Sequence, residues 1–486
     1  MITTLAFRHL LVRKFRSLFL LLGFSLGVSV MIVLLSVGEA MLEQSRDASL
    51  VGGGELTVLP QGIDVEAMRT GGLGSMFFGI DRARFLVRQV LGGSRHRDIV
   101  RTVSPGIEDK LLYLRRGDRV VPVRAGGEIP SRAGSLNAGL QLRSGSWDDS
   151  PSDSLYIAPN AQQLYDELDR FHLPSRPDST WAEWHYFNVV VSPEEWWYIT
   201  YLVGGEIPTG RWGGELLLTH RNADGRYSRF VTRIPAAQVS FDTARADLTM
   251  GRSFVRQRNG VYHLNAVSLG AEGRVTIDLA ITPAAERYFP PVELRDDEIV
   301  SGYVVPGLVA NGSGRICVRV HCTPLNGVPA YHDHNWGVWR DVTWEWGNAR
   351  GQRVSFLYGG IYGPTSTSGA DPAVRSPFFL SVLDSLGVKQ VLRFDAIQYA
   401  GVRSAAGAPG ATSPRQFTIV GVRDADTVKI RVQVLDALAT PRNQTQSERT
   451  FLQMRGHFAA SGRLLGETVS DTGSGFFETY VGPHRQ

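Results

Sequence analysis

Cysteine is nearly absent: Cys317 and Cys322 are the only two in 486 residues. A disulfide framework is excluded. Their separation of five puts them on opposite faces of a regular strand, so a bridge needs a bulge or turn between them and the unbridged state is favoured. An excess of one charge is also missing. With 51 basic against 47 acidic residues, and no basic stripe beyond the N-terminus, nucleic acid is excluded as a partner. Only one run of 18 or more apolar residues occurs, so the chain alone is no transport pathway. Helical periodicity is scarce, and SPFFLSVLDSL at 376–386 is the main helical candidate.

The one apolar run, residues 17–38, has no charge and would be roughly 33 Å long as a helix, enough to span a bilayer. Arg8, Arg13, Lys14 and Arg16 precede it; Glu39, Glu43 and Asp47 follow. The positive-inside rule puts the N-terminus in the cytoplasm and the bulk outside. The run is too long for a signal peptide and lacks a clear cleavage site, so an uncleaved anchor is expected. Gly23 and Gly27 would let a second helix approach closely.

What the chain has in quantity is aromatic residues and glycine. There are 10 Trp, 15 Tyr, 22 Phe and 53 Gly, which favours short strands and tight turns. From Trp181 onward, alternating segments are separated by turn signals. GVYHLNAVSLGAEGRVTIDLAI reads as a hairpin, and RQFTIVGVRDADTVKIRVQVL also alternates. About 300 such residues exceed one small barrel, so two are expected. Residues 148–180 are rich in Ser, Pro and Asp, hold one helical candidate at 160–171, and otherwise read as a linker.

The stretch YHDHNWGVW, Tyr331–Trp339, concentrates the chemistry. On a strand His332, His334 and Trp336 share one face, and Tyr331, Asp333 and Asn335 the other. Trp344 and Trp346 share a face opposite Glu345, while Glu183, His185 and Phe187 align. Three readings are open: a catalytic or ligand site, a satisfied polar network, or a metal site. His332 and His334 could reach one zinc, but spacing selects neither His185 nor His263 as a third ligand. No metal and no organic cofactor are assigned.

LAFRHLLVRKFRS, the apolar run, ELTVLPQG and the stretch 120–147 together resemble the first membrane helix and periplasmic core domain of macrolide-exporter-type ABC permeases. Over about residues 165–486, AEWHYFNVV, SGYVVP, AYHDHNWGVW, VTWEWG, LYGGIYG and GSGFFETYVG occur in one order. That series resembles the carotenoid 1,2-hydratase (hydroxyneurosporene synthase-like) family. The resemblance implies a pair of lipocalin-like β-barrels and a lyase of hydratase type, in which an acid protonates an isolated C=C bond and water attacks the cation. It points to His334, Trp336, Asp333 and Tyr358 as catalytic, with His332, Asn335, Trp344, Trp346, Glu183 and His185 lining the substrate. The family's Tyr-x-Asp is here Tyr358-Gly359-Gly360. The carboxylate is missing, so Asp333, Glu345 or Glu183 would have to replace it.

The expected architecture is mainly β. It comprises a cytoplasmic stub and transmembrane helix (1–38), a small α+β periplasmic domain (39–155), a linker (156–180) and two barrels (181–330 and 331–486). The expected partners are a lipophilic, isoprenoid- or polyene-like molecule, the bacterial inner membrane, and an ABC permease with its ATPase. A non-catalytic subunit presenting a lipophilic ligand to an exporter is the alternative.

Overall fold

The computed structural model describes residues 14–46, part of 83–132, and 169–481 with breaks at 175, 296–299, 340–341, 363–377 and 442–449. The chain divides into two compact units, Met1–Ala83 with Thr102–Ala158, and Arg84–Arg101 with Pro159–Gln486.

In the first unit, helix α1 (Lys14–Arg46) contains the whole apolar run. Its described side chains include exposed Phe19, Phe24 and Leu34. Among the described residues no helix is long and apolar enough to cross a membrane, so the span remains an expectation from sequence. Strands β1 (Gly106–Arg116) and β2 (Arg119–Glu128) form an antiparallel hairpin. The expected ELTVLPQG strand and most of the helix at 160–171 lie outside the described residues; Asp169–Phe171, at the end of the latter, is not helical.

The second unit is built from two barrel-like sheets. The first contains β3 (Trp181–Ser192), β4 (Glu195–Glu206), β5 (Arg211–Arg221), β6 (Tyr227–Pro235), β7 (Val239–Phe241), β8 (Asp247–Met250), β9 (Ser253–Arg258), β10 (Val261–Gly270), β11 (Gly273–Pro283), β12 (Phe289–Arg295), β13 (Val300–Val318) and β14 (His321–Val338). Its order is β6-β5-β4-β3-β14-β13-β11-β10-β9-β8-β7, with β12 on β13. The sheet curls until Thr232 Oγ1 on β6 lies 2.7 Å from Ser268 Oγ on β10. Inward residues such as Phe187, Ile199, Leu218 and Ile277 fill it.

The second sheet contains β15 (Thr343–Gly351), β16 (Ser355–Tyr362), β17 (Phe378–Asp384), β18 (Gly387–Phe394), β19 (Gln398–Ser404), β20 (Thr412–Arg423), β21 (Asp426–Pro441), β22 (Thr450–Leu464) and β23 (Glu467–Val481). Its order is β18-β17-β16-β15-β23-β22-β21-β20-β19, and a β18–β20 pairing closes the ring. A third apolar cluster, including Tyr198, Val305, Tyr331, Trp346 and Phe476, joins the two barrels along a seam.

Three expectations are corrected. The helix at 376–386 is strand β17: Phe378, Leu380 and Val382 point into the second barrel while Phe379 and Leu383 face the seam. Apolar residues on both faces blur the period of two. The barrel boundary falls between Val338 and Thr343 rather than at 330/331, so the YHDHNW strand belongs to the first barrel. Cys317 and Cys322 are bonded. They are direct cross-strand partners in the β13–β14 hairpin, whose turn contains Arg319 at φ 56° and supplies the reversal that a straight strand lacks.

Candidate functional site

Strand β14 is buried on both faces from Ala330 to His334, because one face looks into the first barrel and the other into the seam. Alternation then sorts its side chains into two sites.

On the barrel side, His332, His334 and Trp336 stand beside Glu183, His185 and Phe187 of β3, their direct strand partners. Trp336 lies flat against the backbone of its partner Gly302: a Cβ there would sit 2.2 Å from the indole. The chain before β3 brings in Asp169, which is fully buried. His334 Nδ1 lies 2.6 Å from Asp169 Oδ1 and its Nε2 lies 2.8 Å from Glu183 Oε1. His332 Nδ1 donates to the Tyr186 carbonyl at 3.0 Å, and its Nε2 is 3.3 Å from Asp169 Oδ2. Tyr262 donates its hydroxyl to the same Oδ2 at 2.5 Å. His172 donates its backbone N–H to Glu183 and stacks on Trp336, with centroids 3.7 Å apart. His185 Nδ1 is 3.8 Å from Asp169 Oδ1 and makes no hydrogen bond.

Burial opposes charge on both members of the central pair, yet each supports the other. Burial would raise the Asp169 carboxyl, but the His334 charge, with hydrogen bonds from His332 and His334, holds it well below the usual range. Burial would lower His334, but Asp169 and Glu183 lift it to about 9. His185, desolvated and facing the charge on His334, is pushed well down. The cluster is therefore an imidazolium held between two carboxylates, with a neutral imidazole stacked 4.0 Å away. Two trios, Asp169–His185–His334 and His172–Glu183–His334, place ligand atoms within 4.8 Å of one another and could hold a metal ion. His263, the other third ligand considered, is exposed on β10.

The seam side has different chemistry. Asp333 accepts a hydrogen bond from Asn335 Nδ2 at 2.6 Å. Glu478 on β23 accepts from Trp344 Nε1 at 2.9 Å and from Gln453 Nε2 at 3.4 Å. Gln453 and Asn188 also approach the Tyr186 hydroxyl, and Trp346 donates to the Tyr331 hydroxyl at 3.0 Å. Burial pushes the Asp333 carboxyl up to about 8, with the Glu478 charge adding to the rise. Burial likewise pushes Glu478 up to about 7. Below about pH 7 both carboxyls hold their protons. Trp344, which donates to Glu478, also lines a cleft of about 930 Å³ with Trp184, Trp339, Phe451 and Tyr480.

Tyr358 belongs to neither site. It is buried inside the second barrel among Phe394, Phe417 and Phe477, and its hydroxyl makes no hydrogen bond. Glu345 is in that interior too, accepting from Tyr399 at 2.6 Å and Thr479 at 2.9 Å. A Cβ at Gly360 would lie 1.8 Å from the Phe378 ring. Phe378 occupies the space that a Tyr-x-Asp carboxylate would need.

The residues expected from sequence thus fall into three places. Glu183, His185, His332, His334 and Trp336 come together inside the first barrel. Asp333, Asn335, Trp344 and Trp346 come together in the seam, and Tyr358 stands apart. Sequence reasoning missed Asp169 and His172, which lie in the stretch read as linker, and the roles of Tyr186 and Gln453. Glu478, in GSGFFETYVG, was not among the expected site residues, because no spacing singles it out.

No family model matches the chain, and no curated protein matches it. Among solved structures, it is similar to an AttH-like protein of Nitrosomonas europaea at 14% identity, covering 64% of this chain and 97% of that one, TM-score 0.45. It is also similar to CghA in complex with Sch210972, at 10% identity over 65% and 95%, TM-score 0.43. A third is kievitone hydratase from Nectria haematococca, at 13% identity over 65% and 94%, TM-score 0.41. The ABC-permease resemblance of the first unit has no counterpart among these.

Proposed function

We propose that the second unit binds a lipophilic, unsaturated molecule in the aromatic cleft and adds water across a C=C bond by acid catalysis. The observation that carries this reading is the buried carboxyl of Glu478, pushed up to about 7 and hydrogen-bonded to Trp344 of that cleft, with the Asp333 carboxyl, pushed up to about 8, in the same seam. An acid for this reaction must keep its proton at working pH and be placed in a dry site. The proton passes from a carboxyl to one alkene carbon. The cation left on the other carbon faces the indoles of Trp344 and Trp184, which stabilise it. Water attacks that carbon, and its proton returns to the carboxylate, so the acid is regenerated. Asn335 and Gln453 orient the two carboxyls. The hydratase-family resemblance of the sequence supports the same reaction class, with the acid moved from the lost Tyr-x-Asp position to the seam.

Membrane attachment through α1, with the second unit outside the cytoplasm, is part of this proposal. The exposed apolar side chains of α1 support it, and so does the Cys317–Cys322 bridge, since disulfides persist in oxidising compartments. A complete ABC permease and its ATPase would be partners in such a setting.

The test is to identify molecules that copurify with the full-length protein by mass spectrometry, then incubate them with it in ¹⁸O-labelled water. An apolar alkene that gains one labelled water, and fails to with Glu478→Gln, supports the reading. Retained binding with no water added by the unsubstituted protein would reduce the site to a carrier.

A further inference from the structure

The histidine cluster inside the first barrel takes no part in the proposed seam reaction, and its donor–acceptor accounting is incomplete. A buried polar atom normally finds a partner. His185 Nδ1 finds none, although His185 is 2% exposed and the atom points at Asp169 Oδ1, 3.8 Å away. The same oxygen is 2.6 Å from His334 Nδ1. Two imidazole nitrogens from adjacent strands therefore converge on one carboxylate oxygen, and only one of them is close enough to share a proton with it.

We infer that Asp169, His185 and His334 form a binding site for one divalent transition-metal ion of the zinc class. Their ligand atoms already lie within 4.8 Å of one another. Four-coordinate zinc with bonds of about 2.0–2.1 Å sets its ligand atoms roughly 3.4 Å apart. The 2.6 Å and 3.8 Å separations bracket that spacing. The donors, two imidazoles and a carboxylate, suit a zinc-class ion better than calcium or magnesium. They leave a fourth position open.

The surrounding residues act as an outer shell. His332, fixed through Nδ1 to the Tyr186 carbonyl, faces the far oxygen of Asp169, and Tyr262 donates to that oxygen. Glu183 faces the other nitrogen of His334. Such partners set ring orientation and ligand basicity. Metal entry displaces the proton shared by His334 Nδ1 and Asp169, which goes to solvent.

The experiment uses the full-length protein, stripped with chelator and titrated with Zn²⁺ and, separately, Co²⁺. The expected result is one equivalent bound per chain, proton release that scales calorimetric heats with buffer ionisation enthalpy, and a tetrahedral Co²⁺ absorption band. His332→Ala should weaken binding roughly 10–100-fold as an outer-shell loss, and His185→Ala by more. His185→Ala leaves no hydrogen bond of Nδ1 unmade, so it should keep its fold, which circular dichroism checks. The exposed His263→Ala should bind as the parent does. No stoichiometric uptake, or unchanged uptake in folded His185→Ala, overturns the site and leaves the cluster a proton network only.

Discussion

The two faces of β14 carry carboxylates at equal depth and in opposite states. Asp169, against the inner face, is fully buried and stays ionised because the His334 imidazolium lies against it. Asp333, on the outer face, is 3% exposed and keeps its proton because burial disfavours its charge, with Glu478 adding to the rise. Burial alone does not decide the charge of a buried acid: it raises both carboxyls, and at Asp169 the cation buried beside it reverses the outcome. The inner face can hold charge and fix geometry, whereas the outer face can deliver a proton.

Breaking the outer face should have the largest effect. Asp333→Asn keeps the shape and the Asn335 contact but has no proton to give. If the seam acid acts as proposed, turnover should fall about 10²–10⁴-fold, while denaturant unfolding should shift by no more than about 1 kcal/mol because a neutral group replaces a neutral group. Equal turnover in the variant would remove Asp333 from the chemistry.

Breaking the inner face should reverse that pattern. His334→Ala leaves Asp169 and Glu183 buried without their shared cation, at a cost of about 3–5 kcal/mol in stability, measured by urea unfolding. A loss below about 1 kcal/mol would mean that the two carboxylates protonate or find water at little cost.

The pH dependence sharpens the comparison with a smaller effect. Asp333 and Glu478 hold protons that the unfolded chain releases near pH 4, so their stabilisation is full below that and is lost as pH rises through about 7 to 8. The slope is at most about 1.4 kcal/mol per pH unit per group. Asp169 works the other way: its contribution is present above the ordinary carboxylate range and is lost as pH falls below it. Stability measured from pH 5 to 8 should decline in the parent and decline less steeply in Asp333→Asn with Glu478→Gln, where His334, lifted to about 9, still contributes above about pH 6.5. An unchanged slope in the double variant would place the titration elsewhere.

The fold was legible in sequence where one face of a strand is buried. Val261–Gly270 and Gly273–Pro283 alternate cleanly and form the hairpin their turn residues announce. It was illegible at 376–386, where β17 is covered on both sides. Alternation in YHDHNW correctly separated His332, His334 and Trp336 from Asp333 and Asn335, since that depends only on strand geometry. It could not say that the two sets face different rooms, or that Tyr358 lies inside the other barrel, because both depend on how barrels dock. Asp169 and His172 carried no periodic signal. They are functional candidates only because the chain entering β3 folds back over His334.

The bridge at Cys317–Cys322 ties the far end of the same hairpin whose other end carries both sites. A single residue inserted between Cys322 and His332 without a compensating bulge would slip the register and exchange the faces, sending imidazoles to the seam and Asp333 into the barrel. Heritable length changes in this hairpin should therefore come in pairs or with a new bulge, and the two sites must evolve as linked traits, since no mutation of the strand's phase can alter one and spare the other.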